Sequence, residues 1–74
     1  DSATNNLITK KKKLVKAMEI DKKELENTEK ELSQETNEEI NNVLKERIER
    51  IKSRITEKQN RIDEIEEKLQ TIEE

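Results

Sequence analysis

Between Arg47 and Glu74 the apolar residues recur in steps of three and four: Ile48, Ile51, Ile55, Ile62, Ile65, Leu69 and Ile72, with Lys58 standing where an eighth would fall. This is a heptad seam, with a at 48, 55, 62 and 69 and d at 51, 58, 65 and 72. Leu44 continues it backwards at d. A helix with so narrow a stripe has nothing of its own to bury it against. The segment therefore demands a partner helix, and what the rest of the chain can supply decides the fold.

A second frame runs from Leu7 through Leu14, Met18, Leu25 and Leu32, with Lys11, Asp21 and Thr28 at the intervening seam positions. The two frames are out of phase, because Leu32 and Ile48 are separated by 16 residues, two more than two heptads. The break falls on Ser33-Gln34-Glu35-Thr36-Asn37-Glu38-Glu39. Ser33, Thr36 and Asn37 favour caps and turns over helix interiors, and Thr36 with Glu39 reads as a capping box. The expected architecture is all-α: one antiparallel two-helix coiled-coil hairpin over 1–74. Helix 1 runs from about 5 to 33, capped by Ser2 or Thr4, with a turn at about 33–37 and helix 2 from about 37 to 73. With no glycine to end helix 1 in the left-handed region, Asn37 is the expected substitute.

Composition agrees and narrows the chemistry. Charged residues make up 47% of the chain, hydrophobic ones 27%, and Gly, Pro, Cys, His and all aromatics are absent. Such a chain without periodicity reads as disordered; with it, as coiled coil. Lacking Cys and His, it has no thiol nucleophile, imidazole base or usual zinc ligand, and lacking Gly it has no phosphate-cradling loop. No catalytic, metal or cofactor residue is expected, and no apolar run is long enough for a transmembrane segment. The opening Asp1 suggests a processed chain or a fragment of a larger protein.

Charge is blocky behind a net value of −3. Residues 1–23 carry seven basic and three acidic groups, and 24–46 two and eight. Residues 47–61 carry six and two, and 62–74 one and six. Folding the chain back at 33–37 sets opposite blocks side by side, whereas a parallel dimer sets Lys10-Lys11-Lys12-Lys13 against its own copy. The favoured antiparallel register pairs Leu32 with Leu44, Leu25 with Ile51, Leu14 with Ile62 and Leu7 with Leu69, and puts Met18 against Lys58. It brings Asp21 near Lys58, and on the flanks Glu24 to Arg54, Glu31 to Arg47 and Glu29 to Lys45. Lys22 near Lys52 and Lys10 near Lys68 count against it. In this frame Asp21 and Lys58 are register-setting polar residues.

Candidate functional residues lie off the seam. Ile8 and Val15 at e, Ile20 and Val43 at c, and Ile40 at g are apolar where two helices alone do not cover them, so they are the candidate interface. Lys10, Lys11, Lys12 and Lys13 are the candidate anion contact, although four consecutive helical residues point all round the helix. Carboxylates such as Glu64, Glu66 and Glu67 read as a solvated face.

The leading functional expectation is a non-enzymatic protein–protein interaction or oligomerisation module, a protein partner or a second copy of the chain completing a core too thin to stand alone. A nucleic-acid partner is the less favoured alternative, with the hairpin serving as the arm of a DNA- or RNA-processing protein. In architecture alone the chain is similar to the coiled-coil hairpin of large serine recombinases and the helical arm of seryl-tRNA synthetases, with no motif specific to either. A segment of a bacterial surface coiled-coil protein is the third reading, suited by the Asn-, Lys- and Ile-rich composition.

Overall fold

A computed structural model describes residues 2–73; Asp1 and Glu74, the ends of the expected unit, lie outside them. Two helices, α1 (Ser2–Gln34) and α2 (Glu38–Glu73), pack against each other as a helical hairpin, and no strand occurs among the described residues. Long runs of Lys, Glu, Leu and Ile without Gly or Pro give both segments uninterrupted helical propensity. The result is a rod of 55 × 14 × 13 Å.

The helix bounds differ from the expected ones where caps were read from sequence. α1 already begins at Ser2, so Ser2 and Thr4 lie within it. The Thr36–Glu39 capping box is not formed. Instead Asn37 caps α2: its Oδ1 accepts from the Ile40 N–H at 3.2 Å and its carbonyl from the Asn41 N–H at 2.9 Å. Moving the cap by one residue places Glu38 and Glu39 in the first turn, where carboxylates favour the helix dipole. Asn37 does not act as a left-handed terminator either, because no described residue has a positive φ. α1 ends through Glu35, whose N–H donates to the Leu32 carbonyl at 3.3 Å. The Glu35 carboxylate then accepts from the Thr36 and Asn37 N–H groups, each at 3.0 Å. One side chain thus satisfies the donors for which a tight turn ordinarily uses glycine geometry.

The core is one line of side chains between the helices. Met18, Leu44, Ile48, Ile51, Ile62 and Ile65 are buried, Ile51 most completely at 1% exposure. Leu7, Leu14, Leu25, Leu32, Ile55 and Leu69 are half-buried, and Ile72 is exposed at the open end. Two polar seam residues of α1, Asp21 and Thr28, are also buried. The Thr28 hydroxyl donates to the Glu24 carbonyl one turn back at 2.8 Å, so its burial leaves no donor unsatisfied. Among the described residues no helix is long and apolar enough to cross a membrane.

Candidate functional site

The rod carries four groups of side chains beyond its core: a polar layer at mid-length, a basic groove and an apolar groove towards the open end, and an apolar pair beside the turn.

At mid-length Lys58, the cation in the α2 seam, donates to Asp21 Oδ2 across the interface. Arg54 approaches Asp21 Oδ1 at 3.6 Å and donates to Glu24 at 2.8 Å, and Arg47 lies 3.7 Å from Glu24. Asp21 is therefore buried between two cations, and the antiparallel alignment satisfies its charge. Glu24 takes both arginines, and Glu31, the expected partner of Arg47, forms no ion pair among the described residues. Glu29 and Lys45 border one groove without pairing. Arg47, Arg54 and Arg61 follow one another at seven-residue spacing, with Arg50 four residues before Arg54, so all four arginines of the chain lie along one flank of α2.

The lysine run divides between the two flanks. Lys10 and Lys13 border a groove of about 450 Å³ with Arg61, Lys68, Leu14 and Glu64. Lys11 pairs with Glu66 at 3.2 Å, and with Lys12 it borders the groove on the other side. The expected closeness of Lys10 to Lys68 is thus accommodated by a partly open, solvated groove.

That second groove, about 460 Å³, has Ile8, Val15 and Leu69 as its apolar lining and Lys12, Lys16 and Glu19 on its rim. Ile8 is exposed and Val15 half-buried. At the other end of the rod Ile40 is 45% and Val43 58% exposed, three residues apart on the first turns of α2. Ile20 is the most exposed large apolar residue at 69% and stands by itself on α1. The five candidate interface residues are thus not one patch but two clusters and an isolated isoleucine.

Asn41 escaped the sequence reading. It occupies the a position preceding Ile48, and its Oδ1 is buried without a hydrogen-bond partner. The signal was available, since running the α2 heptad back one step from Ile48 lands on it. The clustering of Lys10, Lys13, Arg61 and Lys68 was less visible, because it needs both helices placed. No group of three or more potential metal ligands occurs among the described residues. Compared with protein families, curated proteins and solved structures, the chain matches none.

Proposed function

We propose that the chain is a non-enzymatic coiled-coil hairpin acting as a protein–protein interaction or oligomerisation module. The observation that supports this reading is apolar surface at both ends of a rod with a thin core: the Ile8–Val15–Leu69 groove and the Ile40–Val43 pair. The exposed Ile8, Ile40 and Val43 contribute little to the hairpin itself, and helix-in-groove docking uses anchors at this spacing. Ordering the chain costs about 1–2 kcal/mol per residue, so burial against a partner stabilises the folded rod further. Thermal melts across a hundredfold range of protein concentration test self-association, and a rising midpoint is expected. Superimposed melts, together with unchanged partner capture when Ile8, Val15, Ile40 and Val43 are all replaced by Ser, would sink the reading.

A second reading draws on Lys10, Lys13, Arg61 and Lys68 around one groove. Such a cluster suits phosphate and fits an arm of a DNA- or RNA-processing protein. Glu64 within it and the lack of aromatic side chains for stacking weigh against it. Replacing Lys10 and Lys13, the members of the run that border this groove, by Gln is expected to leave binding unchanged at physiological salt. A large loss, with a salt-dependent affinity for nucleic acid, would favour the arm instead.

A further inference from the structure

The two apolar clusters differ in the charge around them. Val43 has Glu39 one turn before it and Glu46 one turn after it on the same helical face, and neither carboxylate has an ion-pair partner among the described residues. Arg47, one turn after Val43, is turned to Glu24. At the open end the rim of the Ile8–Val15–Leu69 groove carries Lys12 and Lys16, likewise without ion-pair partners, while Lys11 is held by Glu66. Glu19 is the carboxylate on that rim. An exposed apolar pair bordered by free carboxylates therefore exists on the same chain as an apolar groove bordered by free ammonium groups.

We propose that the turn end of one copy docks in the open-end groove of the next. Ile40 and Val43 seat on Ile8, Val15 and Leu69, and Glu39 and Glu46 face Lys12 and Lys16. The occupant is a second copy because the chain itself holds both complementary halves, and the pairing rests on the interaction-module reading above.

The placement of the halves also fixes the symmetry. Ile40 lies seven residues before Arg47 and fourteen before Arg54, on the flank where both arginines reach Glu24. The groove lies on the opposite flank, where Lys11 meets Glu66, and shares no lining residue with the Lys10–Lys13–Arg61–Lys68 groove. Two copies related by a two-fold axis present the same flank to each other, so they cannot engage turn and groove in one interface. The contact is heterologous, and repeated it gives an open head-to-tail chain.

Sedimentation velocity on the full chain tests this with two variants. Ile40→Ser with Val43→Ser removes the inserting pair, and Ile8→Ser with Val15→Ser removes the groove floor; circular dichroism on each checks that helix content is kept. The wild type is expected to grow past dimer with concentration. Each variant alone should associate at least tenfold more weakly, while their equimolar mixture forms a dimer and stops, one partner supplying the groove and the other the pair. In a second arm, Lys12→Glu with Lys16→Glu should abolish growth, and mixing with Glu39→Lys with Glu46→Lys should restore growth past dimer with the two variants alternating, since each end of one complements the opposite end of the other. A mixture no larger than its parents overturns the proposal. Variants that associate like wild type also overturn it, but leave the module reading standing through another surface. A wild type that is monomeric with concentration-independent melting overturns the proposal and leaves the module reading to a partner other than the chain itself.

Discussion

The two helices share one interface and are buried by it very differently. On α2, Leu44, Ile48, Ile51, Ile62 and Ile65 are all buried; on α1 the buried residues are Met18, Asp21 and Thr28, while Leu7, Leu14, Leu25 and Leu32 stay half-exposed. A single partner helix covers only the line of closest approach. On that line α2 places five apolar side chains, whereas α1 places the polar Asp21 and Thr28 there beside Met18. α2 therefore holds most of what the interface protects.

The strongest break of that asymmetry is a pair of truncations at one level of the rod. Ile51→Ala empties the most enclosed site and should cost about 2–4 kcal/mol. Leu25→Ala, at the position expected to face it, truncates a half-buried side chain and should cost about half as much. Urea unfolding at one fixed concentration measures both, and equal losses would show the helices to be equivalent.

A smaller effect is expected at the polar layer. Asp21→Ala leaves Lys58 facing an apolar interface and should cost about 1–3 kcal/mol, less than for a fully buried pair because Lys58 keeps some access to water. Replacing both by Leu should recover or exceed wild-type stability while loosening the alignment. Cysteines at residues 7 and 69 report the alignment: a fall in their crosslinking in the double Leu variant is expected. Unchanged crosslinking would mean the charge blocks alone hold the register.

The smallest effect is a gain. Asn41→Leu replaces a buried, unpartnered oxygen with an apolar side chain at a seam position and should stabilise by about 1 kcal/mol. It would sharpen the contrast between the helices by completing the α2 seam. A loss in the same urea assay would show that Asn41 has a polar role the interface requires.

The hairpin itself was legible because two independent signals agreed on it, the out-of-phase heptads and the alternating charge blocks. The contacts of Asp21 with Lys58 and of Glu24 with Arg54 followed from the same register. What the pattern did not give were choices between near-equivalent partners. Arg47 reaches back to Glu24 instead of Glu31, since a long guanidinium can satisfy several carboxylates at similar cost. The α2 cap moved from Thr36 to Asn37 because the Glu35 carboxylate takes the Thr36 and Asn37 N–H groups, which leaves the Asn37 amide oxygen facing the Ile40 N–H. The open-end groove was legible only as a spacing of Ile8 and Val15; its third wall, Leu69, comes from the other helix.

The layered interface also determines how the rod would answer to mechanical load. Among the described residues no hydrogen bond between backbones joins the two helices, so a force separating Ser2 from Glu73 meets side-chain layers one after another. The outermost, with Ile72 exposed and Leu7 and Leu69 half-buried, resist least. Tension entering there unzips the hairpin in small steps until it reaches the buried Ile65 and Ile62, and behind them Met18 and the ionic clasp of Asp21 with Lys58. Beyond that point the most enclosed residue, Ile51, still holds the turn-proximal segment closed. Pulled from its open end, the hairpin is a graded yielding element whose first firm stop lies well inside the rod.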